Sequence, residues 1–438
     1  MFQCSRRPPI LQSHLGMHSD INRKDKCLKQ SLPLNTRSMS NRNIHASFAR
    51  YCFLLLMYTS LLQPIPRLGR LMFILRLAWF VWLAISFTAV VYELLTNPYD
   101  SVGSIVGSAL FIFNLLTNVV TFIESICKCE HYQELLRLER EVDTLLVNKI
   151  DVQTIIEVRV WHMAFYVVLI QIIYDVVQLV IAFTGYKSPV FYYVVVILFI
   201  QRARYAQITC AIARLNARSL CLITLLRVLV KANRPRHKYS SEVWQPYAVW
   251  EFEYLNLLRL IHGRLCELHR CVSNCFSWSI VILLFSTFFT TVSNLFWCIE
   301  IIRTNFQFGQ FAYDALTILR LDTLAAVLLF TAEQAKKHNM LLGGLFLNLA
   351  KPLGNKTYND LVSKFSLQCL QQGFMINVKG FFSLNLSLLG DLIVLSSTYL
   401  VILMQFDLYQ GSNTKVNVIY NSMANEESMK TEKFPTIN

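Results

Sequence analysis

The sequence predicts an all-α membrane protein. It has seven transmembrane helices, an N-terminus inside, a C-terminus outside, and long cytoplasmic helical extensions that form an anchor domain. Three observations carry this. Of 438 residues, 54% are hydrophobic and 16% charged, with mean hydropathy +0.42, whereas soluble domains carry about 25% charged residues. Seven apolar runs reach the roughly 20 residues needed to cross a bilayer. Lysine and arginine concentrate in alternate connections, which sets orientation.

Residues 1–70 are polar and basic, with no apolar core of signal-peptide length behind their charges. They read as a cytoplasmic arm. A short apolar helix near 51–62, followed by Pro64 and Pro66, is too short to span. Spans follow at 71–95, 102–126, 160–185, 190–212, 276–301, 311–331 and 384–406; the first six with their helical extensions occupy 71–331. The arm holds 11 Lys/Arg, 127–159 five, 202–275 twelve and 332–383 six. By contrast 96–101 has none, 186–189 and 302–310 one each, and the tail 407–438 three. The basic side is therefore the inner side, and 407–438 is an extracellular tail.

The long inner stretches keep helical periodicity. In "YLNLLRLIHGRLCEL", Leu257, Leu260, Ile261 and Leu265 are expected on one face, and 332–383 is expected to hold a cytoplasmic connection and an anchor helix. The run "ELLRLEREVDTLL" (134–146) reads as a solvated helix extending the second span. None of the 12 cysteines falls in an outer connection, so no external disulfide framework is expected. The sequons Asn355-Lys-Thr357 and Asn385-Leu-Ser387 lie in an inner connection and a span, where neither is expected to be glycosylated. No nucleophile–base pair, metal-ligand spacing or nucleic-acid motif is present, so no enzyme, metal, cofactor or nucleic-acid partner is expected. The net charge of +14 reads as topology signal and contact with anionic lipid.

The seventh span carries an unusual stripe. Ser387, Asp391, Val394, Thr398, Val401 and Gln405 are spaced 4, 3, 4, 3, 4. At about 100° per residue they lie within about 40° of one line, with Tyr399 and Phe406 on a separate aromatic face. A carboxylate in hydrocarbon costs roughly 3 kcal/mol or more, so Asp391 should face protein or water. The residues leave three readings open: interhelical glue, the lining of a pore with Asp391 as a cation-attracting ring, or a transporter's proton site. No internal repeat supports the last.

The end of this span, "TYLVILMQF", resembles the signature of insect gustatory receptors: Thr-Tyr, five mostly hydrophobic residues, then Gln-Phe, here Thr398, Tyr399, Gln405 and Phe406. The upstream "GFFSLNLSLLGDLIVLSS" is similar as well. The resemblance implies a ligand-gated, non-selective cation channel opened by small tastants, in the plasma membrane of gustatory neurons. It implies a tetramer of identical or related subunits, each giving its seventh helix to a central pore. Gln405 and Phe406 would sit at the constriction, and the tastant in the outer half of each subunit. Sugar receptors of the family often carry an acidic residue after Thr-Tyr; Leu400 here favours a non-sugar, bitter ligand. A G-protein-coupled receptor is the rival seven-helix reading, but it requires an outside N-terminus, and neither Asp-Arg-Tyr after the third span nor Asn-Pro-x-x-Tyr in the seventh is present.

Candidate ligand residues in the outer halves of the spans are Tyr174, Asp175, Gln178, Tyr193, Trp297, Tyr313, Asp314 and Thr317. Asp175 and Asp314 stand out as ionisable groups at depth. Arg320 is expected to pair with a carboxylate of a neighbouring helix. Tyrosine and tryptophan also anchor at membrane interfaces, so packing competes with ligand contact at each aromatic position.

Overall fold

In hydrocarbon every backbone polar group must be satisfied within its own segment, and the chain meets this with helices much longer than a membrane is thick. The computed structural model describes residues 74, 77–85, 88, 92, 102–147, 169–181, 190–239, 249–304, 306–349 and 355–431. The arm 1–70 with its run 51–62, the connections 96–101 and 186–189, most of the first span and the side chain of Tyr193 lie outside the described residues. All that follows concerns the unit Ala46–Asn438.

The elements are α1 (77–85), α2 (Val102–Cys127), α3 (Cys129–Val147), α4 (Leu169–Ile181), α5 (Val190–Tyr239), α6 (Val249–Arg303), α7 (Phe308–Leu347), α8 (Lys356–Gln371), a small hairpin of β1 (Asn377–Val378) and β2 (Phe382–Ser383), and α9 (Ser387–Thr431). Among the described residues, five helices (α2, α5, α6, α7 and α9) are long and apolar enough to cross a membrane, and α4 is a shorter apolar helix. Segments α1 and α4 fall within the first and third expected spans. α4 exposes Ile172, Ile173, Val176 and Val180, an apolar face suited to lipid.

α6, with 55 residues, is about 80 Å long at 1.5 Å per residue. A hydrocarbon core is about 30 Å thick, so most of this helix lies outside it. α6 is also the hub, packing against α2, α3, α5, α7, α8, α9 and β1. Its N-terminal half joins α3, the C-terminal halves of α5 and α7, α8 and the hairpin in one core. The buried ridge of α6 there is Leu255, Leu258, Ile261, Leu265, Leu268 and Val272. Their 3–4 spacing places them on one face. The expected face is thus rotated: Leu260 is exposed and Leu257 only half-buried.

α3 corrects the expectation of a solvated helix. Arg137 does pair along its own surface with Glu134 at 2.5 Å. However, Leu135, Leu138, Val142 and Leu146 are buried, and two acids face α5. Arg218 grips Asp143 through two 2.8 Å hydrogen bonds, and Arg214 lies 3.3 Å from Glu139. α7 runs unbroken through Leu347, so 332–347 continues the sixth helix and only α8 is a separate inner helix.

Both sequon asparagines are helix N-caps. The Asn355 side chain accepts from the Tyr358 N–H at 3.1 Å and starts α8. Asn385 accepts from the Leu388 N–H at 3.1 Å and starts α9. The hairpin between them was not expected. Its turn closes with the Phe381 N–H donating to the Val378 carbonyl at 2.9 Å. Positive φ at Lys379 (51°) and Gly380 (79°) matches the strand twist.

Phe374, just before the hairpin, packs 5.1 Å from the His262 ring and 4.9 Å from that of His269. These histidines lie before residue 276, outside the fifth span expected from the sequence (276–301). Burial lowers both from 6.5 to about 4, with the His269 charge adding to the effect at His262. The folded state keeps them neutral while the unfolded chain protonates near 6.5, so stability falls as pH drops from about 6.5 towards 4. Thermal melts of the purified protein between pH 7.5 and 5 should show a progressive fall in Tm. His269→Phe should flatten that slope; an unchanged slope would remove the histidines as its cause.

Candidate functional site

Two regions bear on function: the outward face of α9, and a polar seam through the bundle formed by α2, α4, α5, α6 and α7.

α9 is nearly bare. Only 6% of its apolar window is buried, against 78% and 72% for α5 and α6. One face meets the protein: Leu388, Leu389 and Leu392 pack on the inner core, and Ser396 is buried. The Tyr399 ring stands edge-on to Phe288, centroids 5.6 Å apart. Beyond the motif, Asp407 pairs with Arg303 at the end of α6 at 2.9 Å. The stripe lies on the other side, its centre about 150° round the helix from that packing face. Ser387, Asp391, Val394, Thr398, Val401 and Gln405 are all exposed, and Val394 and Val401 are 68% and 57% exposed. None of these side chains is buried against the described helices, so the stripe does not serve as glue among them. The Thr398 hydroxyl donates to the Val394 carbonyl at 3.0 Å, and the Ser387 hydroxyl donates to Asn385 at 2.8 Å.

Helix α9 starts at Ser387 and continues past Phe406 to Thr431, so the span and the expected tail as far as Thr431 are one helix. The backbone does not unwind at the motif. Gln405 stays with the stripe, and Phe406, 62% exposed, lies about 100° away.

In the bundle, α4, α5 and α7 bring several expected residues together. The Gln178 amide donates to the Thr317 hydroxyl at 2.6 Å, and Thr317 donates to the Tyr313 carbonyl at 2.9 Å. Arg320, fully buried, donates to Asp175 at 3.0 Å, which supplies the carboxylate partner expected for it. Asp175 also pairs with Arg202. Tyr313, Asp314 and Thr317 are buried, and Trp297 and Tyr174 half-buried. Trp297 belongs to a different contact, where α2 approaches α6 at Gly107. Asp322 accepts from Thr291 of α6 at 2.9 Å.

Deeper along α5, Arg204 has a partner at every fork. Its Nε donates to Ser279 Oγ at 2.9 Å, one Nη to Gln207 at 2.7 Å and the other to Glu124 at 3.0 Å. Its guanidinium lies 4.8 Å from the centre of the Phe276 ring. Glu124 of α2 also accepts the backbone N–H groups of Trp278 and Ser279, each at 2.9 Å, and the Ser279 hydroxyl. One turn up, Gln201 donates to Asn114 Oδ1 at 3.0 Å, which also receives Ser286 at 3.0 Å. No group of three or more His, Cys, Asp or Glu able to hold a metal occurs among the described residues.

A profile of the family described as 7tm chemosensory receptor matches residues 49–410. The chain belongs to this family. Two curated relatives from Drosophila melanogaster align with part of it. "Gustatory receptor 23a" is 36% identical over 33% of this chain and 39% of its own length. "Putative gustatory receptor 39b" is 28% identical over 35% and 42% respectively. The aligned region thus spans about two fifths of each relative. Among solved structures, the insect olfactory receptor OR5 from Machilis hrabei matches with TM-score 0.60 at 12% identity, over 83% of this chain and 99% of that one. The same receptor in complex with eugenol matches with TM-score 0.59 at 11% identity, over 84% and 100%. The fold is shared with that receptor.

Several polar residues of this chemosensory receptor were not singled out from its sequence: Asn114, Glu124, Gln201, Arg202, Arg204 and Ser279. Arg202 and Arg204 had been counted with an inner basic connection. Both are buried inside the bundle because α5 continues without a break from its apolar run. The usable signal was a lone Glu124 in an apolar helix, which needs a basic partner. Glu124→Ala should destabilise the receptor by about 3–5 kcal/mol, because it leaves the Arg204 charge buried without its carboxylate. Chemical denaturation of the purified chain measures this; a loss below about 1 kcal/mol would mean that the Arg204 charge is not stranded.

Proposed function

We propose that this chain is a subunit of a ligand-gated, non-selective cation channel that works as a gustatory receptor. The observation that carries the reading is α9: an apolar helix whose regular polar stripe, with a carboxylate, points away from its own subunit. Such a face needs protein or water opposite it. Four copies meeting around an axis supply both, each giving Ser387, Asp391, Val394, Thr398, Val401 and Gln405 to a water-filled path. Asp391 then forms a carboxylate ring that favours cations, and Gln405 the outer constriction. Phe406 joins Gln405 at the axis only if α9 turns about its own long axis, which makes rotation of this helix end the gating motion.

The remaining parts follow the same reading. Seven spans cross the plasma membrane of gustatory neurons, N-terminus inside, with the core of α3, α5, α6, α7 and α8 on the cytoplasmic side as the shared anchor, beside anionic lipid. The subunits are identical or related. A small tastant binds among α4, α5 and α7 in the outer half, and Leu400 favours a non-sugar, bitter compound over a sugar.

Patch recording from cells expressing the chain, with a tastant panel, tests the proposal. Ligand-evoked cation current is expected without G-protein signalling. Asp391→Asn should lower the cation-over-anion permeability ratio several-fold, and Gln405→Ala should change gating or rectification while leaving surface expression intact. Saturable uptake abolished by Asp391→Asn, with no current, would instead make the protein a transporter. Current with unaltered selectivity in Asp391→Asn would take Asp391 out of the pore.

A further inference from the structure

Two arginines on one helix have opposite surroundings. Arg204 has a hydrogen-bond partner for each of its nitrogens. Arg202, two residues earlier and 3% exposed, shares the single carboxylate of Asp175 with Arg320, which is fully buried. Both guanidiniums reach the same oxygen, Oδ1. This leaves Nε of Arg202, and Nε and Nη2 of Arg320, buried without a hydrogen-bond acceptor. Arginine stays charged in proteins and has only donors to offer. Among the described residues, two positive charges against one negative leave an excess of one at this cluster, and a buried unpaired charge is costly. The cluster is not sealed, since the Asp175 side chain is 24% exposed.

We propose that Arg202 and Arg320 bind the anionic group of the receptor's ligand, a small organic carboxylate, between α4, α5 and α7; this rests on reading these helices as the ligand-binding region. The planar guanidinium fork matches a carboxylate, through two parallel donors where geometry allows. Asp175 already occupies part of the site with the same chemical group, so it acts as an internal surrogate. It holds the arginines in place when no ligand is bound and competes with the ligand when one arrives. A monovalent anion brings the cluster to neutrality and accepts from the orphan donors. Tyr313, within electrostatic reach of both guanidiniums, and the Gln178–Thr317 pair flank the site.

The test is binding to the purified full-length chain, measured as a thermal shift and by competition with a radiolabelled acid. The probes are acetate, hexanoate and benzoate, each beside its neutral amide. At least one acid should stabilise the protein more than its amide does. Arg320→Gln, which leaves Asp175 paired with Arg202, should weaken that acid at least tenfold, and Arg202→Gln should do the same. Asp175→Asn should tighten it at least tenfold, a gain that a merely structural role for the cluster does not give. The inference is overturned if no acid exceeds its amide, if sodium chloride at equal concentration stabilises as well as the acids, or if Asp175→Asn weakens binding. Should Asp175→Asn fail to fold, the two arginine variants decide. Acid binding without any evoked current would sink the channel reading and keep this site. Current evoked equally by acid and amide, and unchanged in Arg320→Gln, would do the reverse.

Discussion

The Glu124 carboxylate registers three helices at once. It sits on α2, accepts the Arg204 guanidinium from α5, and receives two backbone N–H groups and a hydroxyl from α6. Glu124 and Arg204 are both buried, so each bond counts for more than it would at a surface. Sliding any of the three helices by one residue would move its group about 1.5 Å along the axis and break several bonds together. Below this point the same α6 builds the inner core with leucines and isoleucine. Above it the helices carry the Gln178–Thr317 and Asp175–Arg320 pairs. A charged pair with every fork satisfied thus fixes the register from which both halves take their alignment.

Much of this was legible. Composition announces the membrane, apolar runs locate the long helices, and heptad spacing draws the stripe of α9. Arg320 demanded a carboxylate and found Asp175. The failures have physical causes. Arg202 and Arg204 lie inside the expected span 190–212 yet also count in the basic stretch 202–275, because a tally of Lys and Arg does not tell depth. A buried arginine with partners on other helices looks the same in sequence as a solvated one. The buried face of α6 was misplaced because its leucines also cover a second, exposed side, so Leu260 and Leu258 are equally apolar in sequence and differ only in what lies opposite. The hairpin rests on Lys379 taking a positive φ, a conformation that lysine does not signal. The run 134–146 reads as solvated because its charges sit at intrahelical spacing, and only the fold shows that Glu139 and Asp143 answer arginines on α5.

The two polar regions divide the labour differently. In the bundle, charged side chains such as Glu124, Asp175, Arg204 and Arg320 find partners on other helices of the same chain. On the α9 stripe from Ser387 to Gln405 every polar side chain is exposed. The arrangement separates what a substitution does: a change at Leu392 or Ser396 alters how the helix sits on its own subunit, while a change at Val394 or Val401 alters only what the outer face meets.

The spacing of that outer face carries a geometric consequence. The stripe from Ser387 to Gln405 repeats every 3.5 residues, but a straight α-helix turns once in about 3.6, so the stripe drifts by about 20° per heptad. Copies of α9 that touch along its whole length therefore cannot stand parallel to a shared axis. They must lean around it in a left-handed sense, and a change in that lean brings a different ring of side chains to the narrowest point.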